Sequence, residues 1–323
     1  MQPLLIIYTG GTIGMQPSSD GYKACEGIQS LIENNLSERA LAKIRPYHVH
    51  EFDHLIDSSN AQPKDWTQIA QCIIDNYANY SGFIVLHGTD TMAYTAAALH
   101  HLLGTAIKPV IVTGSQIPLC EPRSDGASNL LEAALFARSN QLSQVAVSFA
   151  GKLLAGYSAK KVHSSALAAF DSLNAPLLAR ANIQLEFSTN TKAKSHTSTS
   201  IATAIKAFKL PDLTGKNVAV LYLYPGISNV QIEAAFNHQA SKAVVMLSFG
   251  AGNPPDQNTC LMSALKKAQR NKLAVVNMTQ CYSGAVSQGT YAVGSALTKL
   301  GVISAENRTL EDVVTDLYIN TQT

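Results

Sequence analysis

The chain has 323 residues, 46% of them hydrophobic and 14% charged, with a formal net charge of +2 at pH 7. That length suits two domains with real cores, and a near-neutral balance without a polybasic run excludes a nucleic-acid stripe and leaves a small molecule as the expected partner. No apolar stretch approaches the roughly 20 residues of a membrane span, and the five cysteines, odd in number and without a CxxC, fit a reducing compartment rather than a disulfide framework.

In chain order, the apolar run Pro3–Tyr8 predicts a first strand, followed at once by the turn YTGGTIG, Tyr8 to Gly14. A strand and turn this early leave no room for a signal peptide, so a cytosolic protein is expected. Gln16 to Tyr22, polar and bearing Gly and Pro, reads as an exposed mobile loop. His48 and His50 fall on one face of a later strand that Glu51 ends; with Asp53 and His54 they raise the question of a metal site. A polar outer face with Val49 inside accounts for them better, and neither metal nor cofactor is expected. Asp57-Ser58-Ser59-Asn60 reads as a turn or cap ahead of Pro63. Gly82–Leu86 predicts the next strand and opens the second glycine-bounded loop, LHGTDTM, Leu86 to Met92. Asp90 stands at the expected start of a helix whose apolar face is Met92, Ala96, Leu99 and Leu103.

Strand-like and helix-like runs alternate through Val145–Phe149, the βαβ rhythm of a parallel sheet. The polar tract 188–200 reads as a linker or surface excursion, and further strands follow at Val218–Leu223, Ala243–Leu247 and Leu273–Val276. The expected organisation is an α/β protein. A larger N-terminal, flavodoxin- or Rossmann-like parallel-sheet domain spans 1–187, a linker 188–212 and a smaller C-terminal α/β domain 213–323.

Two threonines, Thr12 and Thr89, thus sit in loops at the carboxyl ends of strands, where open parallel sheets form their ligand crevice. Gly10, Gly11 and Gly88 permit unusual backbone angles and close approach of a ligand to the main chain. The other reading is a phosphate cradle, with Thr89 and Asp90 as helix caps. The spelling GGTIG is neither GxGxxG nor GxxxxGK[ST], and Glu51 lies far beyond the spacing of about twenty residues a dinucleotide site needs. A hydroxyl nucleophile fits better.

Together, TGGTIG and HGTDTMAYTA resemble the two signature loops of the bacterial L-asparaginase family. The resemblance extends through Asp57-Ser58-Ser59, Pro109–Pro118, Arg123–Gly126, Tyr224–Gly226, Gly250–Asn253 and Asn277–Cys281, and is strongest to the cytoplasmic, type I branch. It implies that Thr12 is the primary nucleophile, that Thr89, Asp90 and Lys161 form a second cluster, and that Tyr22 belongs to a lid that closes on the nucleophile. Lys161 is chosen over Lys160 by aligning Gly156 and His163. To accept a proton this lysine must be neutral part of the time, which burial favours and Asp90 opposes. For a free amino acid, Ser58, Ser59 and backbone N–H groups near Gly88 can take the α-carboxylate and Asp90 the α-ammonium. Backbone N–H groups near Thr89 and Ser115 are candidates for the oxyanion. The implied reaction is hydrolysis of the asparagine side-chain amide, through an acyl-enzyme or by direct attack of water.

The resemblance also implies a homodimer or homotetramer in which Asn253 reaches across to a neighbouring subunit. Two other functions share features. An amidotransferase subunit acting on tRNA-bound glutamate shares the threonine loops and is expected to carry an extra amino-terminal domain, and a non-enzymatic amino-acid sensor needs neither Thr12 nor Lys161. Glutamine, one methylene longer than asparagine, differs in a pocket by only about 1–3 kcal/mol and stays open as a second substrate.

Ser158, Ala159 and Lys160 replace the family's arginine-threonine pattern ahead of the lysine, Leu247 stands where type I relatives can carry an arginine, and the carboxyl-terminal helical region is short. Losing a guanidinium removes a carboxylate anchor from an effector pocket. Asparagine is therefore expected to give hyperbolic rather than sigmoidal saturation. A sigmoidal curve that a Lys160 substitution abolishes would contradict this.

Overall fold

Short apolar runs bounded by Gly and Pro build the first unit. The computed structural model describes residues 2–104, 108–189, 210–288 and 292–321, and its contacts divide the chain into Met1–Pro211 and Asp212–Thr323. Most of the expected linker, residues 190–209, lies outside the described residues.

The first unit runs β1 (Leu4–Gly10), β2 (Met15–Ser18), β3 (Gly21–Ala24), α1 (Ile28–Asn35), α2 (Glu38–Ile44), β4 (Tyr47–Ile56), α3 (Pro63–Asn76), β5 (Gly82–Leu86), α4 (Met92–Leu103), β6 (Val110–Thr113), α5 (Gly126–Arg138) and β7 (Val145–Phe149). It continues with β8 (Lys152–Ala155), β9 (Lys160–Lys161), β10 (Phe170–Asp171), β11 (Ala179–Ala181) and β12 (Leu185–Phe187). The main sheet is ordered β4-β1-β5-β6-β7-β8-β11-β12. Its first five strands are parallel. In chain order they stand second, first, third, fourth and fifth, the flavodoxin-like arrangement, whose ligand crevice opens between the first and third strands. Here those are β1 and β5.

The parallel strands are apolar throughout because both faces are covered. Leu4, Ile6 and Tyr8 of β1 pack with Ile28 and Ile32 of α1, Leu41 and Ile44 of α2, and Leu130 and Phe136 of α5. On β5 the next residue in the alternation, Phe83, stacks on Tyr77 at the end of α3. α4 buries almost its whole circumference, including the expected face of Met92, Ala96, Leu99 and Leu103.

Three local differences from the sequence reading have clear causes. Beyond β7 the sheet turns antiparallel, because Ala150 and Gly151 take positive φ (47° and 76°) and close a two-residue hairpin into β8. The stretch expected to be a loop at Gln16 to Tyr22 is part of a hairpin, β2 against β3, whose turn is held by Ser18 Oγ donating to the Gly21 carbonyl at 2.5 Å. Glu51 does not end its strand but lies in the middle of β4, where its carboxylate accepts from Gly27 N.

The second unit is a parallel sheet of β13 (Val218–Tyr222), β14 (Ala243–Ser248), β15 (Ala274–Thr279) and β16 (Ile303–Ser304), in that order. Leu221, Val244, Met246 and Val275 pack against Ile232, Leu261 and Leu265 of the helices Asn229–Ala235 and Thr259–Arg270. Among the described residues no helix is long and apolar enough to cross a membrane.

Asn277, fully buried on β15, accepts from Ser248 Oγ at 2.5 Å and donates to the Gly252 carbonyl at 2.9 Å. Asn277→Ala would leave both groups unpaired, which is expected to cost about 2–4 kcal/mol of unfolding free energy. Urea denaturation checks this, and an unmoved midpoint would show the network to be dispensable.

Candidate active site

β1 ends at Gly10 and Gly11 follows, at φ 118° and 85°, angles that favour glycine. Thr12 then opens a single 3-10 turn, Thr12–Gly14, which is anchored by Leu119 N donating to the Ile13 carbonyl at 3.2 Å. Thr12 is half-buried and its hydroxyl makes no hydrogen bond among the described residues.

The loop after β5 meets this turn main chain to main chain. A Cβ on Gly11 would fall on the backbone N and Cα of Gly88 and 2.8 Å from the His87 carbonyl carbon. A Cβ on Gly88 would in turn strike Ser58, whose own Cβ lies 2.6 Å away. Three loops, those after β1, β4 and β5, thereby close on one another. Ser58 is buried; its Oγ accepts from Asp90 N at 3.3 Å and its carbonyl from Thr91 Oγ1 at 2.7 Å. Ser59 N donates to Asp57 Oδ1, an N-cap that holds both serines in a short 3-10 turn.

Lys161, on β9, joins this group from a distant part of the chain. Its Nζ donates to Thr89 Oγ1 at 2.9 Å and to Asp90 Oδ1 at 2.7 Å. Thr89 is buried, whereas the Asp90 side chain is 60% exposed and its second oxygen accepts no hydrogen bond among the described residues. Asp90 is not the first residue of α4. The helix starts at Met92, with Thr91 as N-cap; the Thr91 hydroxyl donates to the Ser58 carbonyl instead of capping the helix.

Residues 3–193 match the family model of the asparaginase N-terminal domain, and residues 217–322 that of the glutaminase/asparaginase C-terminal domain. The chain belongs to the asparaginase family. It is 40% identical to L-asparaginase 1 of Escherichia coli strain K12, over 98% of this chain and 90% of that protein. The crystal structure of L-asparaginase I from Vibrio cholerae matches with a TM-score of 0.85 at 40% identity, covering 98% of this chain and 92% of that one. The thermostable L-asparaginase from Thermococcus kodakarensis matches with a TM-score of 0.83 at 30% identity, with the same coverage.

Within this asparaginase-family frame, the structure brings Gly11, Thr12, Ser58, Ser59, Gly88, Thr89, Asp90 and Lys161 into one group of loops. Tyr22 takes a different partner from the one expected. It is 47% exposed on β3, and its hydroxyl donates to Glu121 Oε1 at 2.5 Å. That bond, ahead of burial and the Glu121 charge, pushes the phenol up from its ordinary value. Ser115 follows β6 and is fully buried, with its Oγ unpartnered among the described residues. Asn253 belongs to the second unit, on an exposed position of the turn closed by the Phe249–Asn253 bridge.

Three residues without an assigned role in the sequence support the group. Gln116 accepts from Thr89 Oγ1 at 3.1 Å. The buried Asp125 carboxylate accepts from Gln116 N, Ile117 N and Asn129 Nδ2, holding the turn after β6. Both lie inside motifs that carry the family resemblance, but nothing in their spacing marks them. His87 is fully enclosed behind Gly88: its Nδ1 donates to the Gly88 carbonyl at 2.8 Å and its Nε2 accepts from Thr95 Oγ1 at 3.0 Å. The carbonyl, which can only accept, fixes a proton on Nδ1; burial keeps the ring neutral, and Nε2 is then the acceptor for the Thr95 hydroxyl.

Burial drives the His87 imidazole below its ordinary value, against the opposing pull of the Gly88 carbonyl. The unfolded chain therefore takes up a proton as pH falls below about 6.5 while the folded chain does not, and stability is lost through that window with a slope approaching about 1.4 kcal/mol per pH unit. In His87→Gln that component should vanish. Urea unfolding of both proteins between neutral and mildly acidic pH checks it; identical pH dependence would refute the assignment.

Proposed function

We propose that this chain hydrolyses the side-chain amide of L-asparagine to L-aspartate and ammonia, with Thr12 as nucleophile. The observation that carries the reading is the closure of the Thr12 and Thr89 loops through Gly11 and Gly88, at the crevice of a sheet whose family members include L-asparaginases. The free Thr12 hydroxyl attacks the amide carbon. A C–O bond forms, the C–N bond breaks, and the hydroxyl proton leaves with the amine as ammonia. Water then cleaves the ester, returning the proton to Thr12 and giving the second carboxylate.

The surrounding groups suit a zwitterion. Ser58 Oγ accepts from Asp90 N, which leaves its own proton for the substrate carboxylate beside Ser59. The unoccupied Asp90 oxygen takes the α-ammonium, while Lys161 neutralises the other. Backbone N–H groups at Gly88, Thr89 and Ser115 serve the substrate carboxylate and the developing oxyanion. Tyr22 closes over the site by exchanging Glu121 for Thr12, and Asn253 completes the site in a homo-oligomer. The expected setting is the cytoplasm.

Thr12→Ala should reduce kcat for asparagine by about a thousandfold or more while asparagine still binds. Ammonia release and calorimetric titration, on wild type and variant side by side, check this. Wild type that binds asparagine without releasing ammonia would instead favour a sensor, and a fully active Thr12→Ala would remove Thr12 from the chemistry.

A further inference from the structure

Gln116 is committed on every side. Its backbone N–H donates to both oxygens of Asp125 at 3.0 Å. Its side-chain Nε2 donates to the carbonyls of Ser164 at 3.2 Å and Ala166 at 3.1 Å, and its Oε1 accepts from Thr89 Oγ1 at 3.1 Å. Two carbonyls on one side fix the amide, because a flipped side chain would set oxygen against oxygen. The Gln116 oxygen must therefore face Thr89, and since an amide oxygen cannot donate, the single Thr89 proton must point at it. Only lone pairs remain on the Thr89 oxygen, and Lys161 Nζ donates into them at 2.9 Å.

The hydrogen bonds accordingly run in one direction, from Lys161 to Thr89 to Gln116. The other arm of Gln116 grips the turn that directly follows the strand of Lys161. That turn is itself braced by His163 Nδ1, which accepts from Ser165 N and Ala166 N. One side chain thus ties both members of the Thr89–Lys161 pair.

We propose that Gln116 is a positioning residue for the reaction: it holds the Thr89 proton away from Lys161, so that Thr89 is the acceptor and Lys161 the donor, and it fixes their separation. The proposal rests on the reading that Thr89 and Lys161 belong to the reaction centre. Thr89 can give up its proton only after its O–H rotates off Gln116, a bond that must be broken or replaced first. Gln116 touches none of the groups assigned to the substrate carboxylate or ammonium other than through this pair, so its loss should act on turnover rather than on binding.

The test compares kcat, KM for asparagine and thermal midpoint in wild type, Gln116→Met, Gln116→Glu and Thr89→Val. Gln116→Met keeps the length and removes donor and acceptor; Gln116→Glu, protonated between the Ser164 and Ala166 carbonyls, restores the acceptor toward Thr89 and one of the two donors. The expected result is a fall in kcat of about 10- to 100-fold for Gln116→Met, with KM held within about threefold, partly recovered in Gln116→Glu. Wild-type kcat in Gln116→Met, a loss confined to KM, or equal loss in both variants overturns the proposal. Thr89→Val separates the two levels of the argument: if it is inactive while Gln116→Met is not, only the role of Gln116 fails, and if it is fully active the reading of Thr89 fails with it.

Discussion

Main chain packed directly on main chain, Gly11 against Gly88, is the contact on which the rest of the site depends. The topology creates the opportunity: the chain leaves β1 for β4 on one side and returns to β5 on the other, so the loops above β1 and β5 separate from their helices around a common crevice. Ordinarily side chains would keep those loops apart. Without a Cβ at either position the two backbones touch, and Ser58 is drawn against Gly88 in the same way. Three strand ends of one sheet therefore deliver their polar groups to one place.

The charged groups added to this frame contribute position more than stability. The Lys161–Asp90 pair is half open to water, with side-chain exposures of 20% and 60%. A pair of that kind is worth roughly 0–1 kcal/mol, less than the ordering of one long side chain can cost. What it does is direct the Lys161 Nζ to Thr89. Asp125 is the opposite case. Buried and saturated by three donors, it is fixed in the framework and has little left to offer a ligand.

How much of this was legible in the sequence depended on the range of each interaction. The glycine-bounded loops at strand ends were readable because strand length, glycine content and polar punctuation are local properties. Lys161 could not be found that way; it meets Thr89 across 72 positions, and only the family resemblance linked them. Gln116 reaches Thr89 across 27 positions and looks from its neighbours like an ordinary turn residue. The Ala150–Gly151 hairpin was hidden because an alanine, not the usual Asn or Asp, takes the first left-handed position. Tyr22 was placed on a loop because its polar neighbours lack an apolar alternation, yet two short strands pair there, their turn tied by Ser18 Oγ and by the Lys23–Asp20 pair.

The second unit fixes a loop by saturation rather than by bare contact. Every carbonyl from Phe249 to Asn253 accepts a hydrogen bond: Phe249 from Gly252 N and Asn253 N, Gly250 from Thr279 Oγ1, Ala251 from Ser287 N, Gly252 from Asn277 Nδ2 and Asn253 from Phe249 N. At Gly252, φ is 100° and a Cβ would lie 2.6 Å from Val286, so the turn closes only around glycine. A loop whose carbonyls are all engaged by the surrounding chain is held in one shape by them. What it can present is a side chain held at a fixed point, and on this turn the exposed polar side chain is that of Asn253.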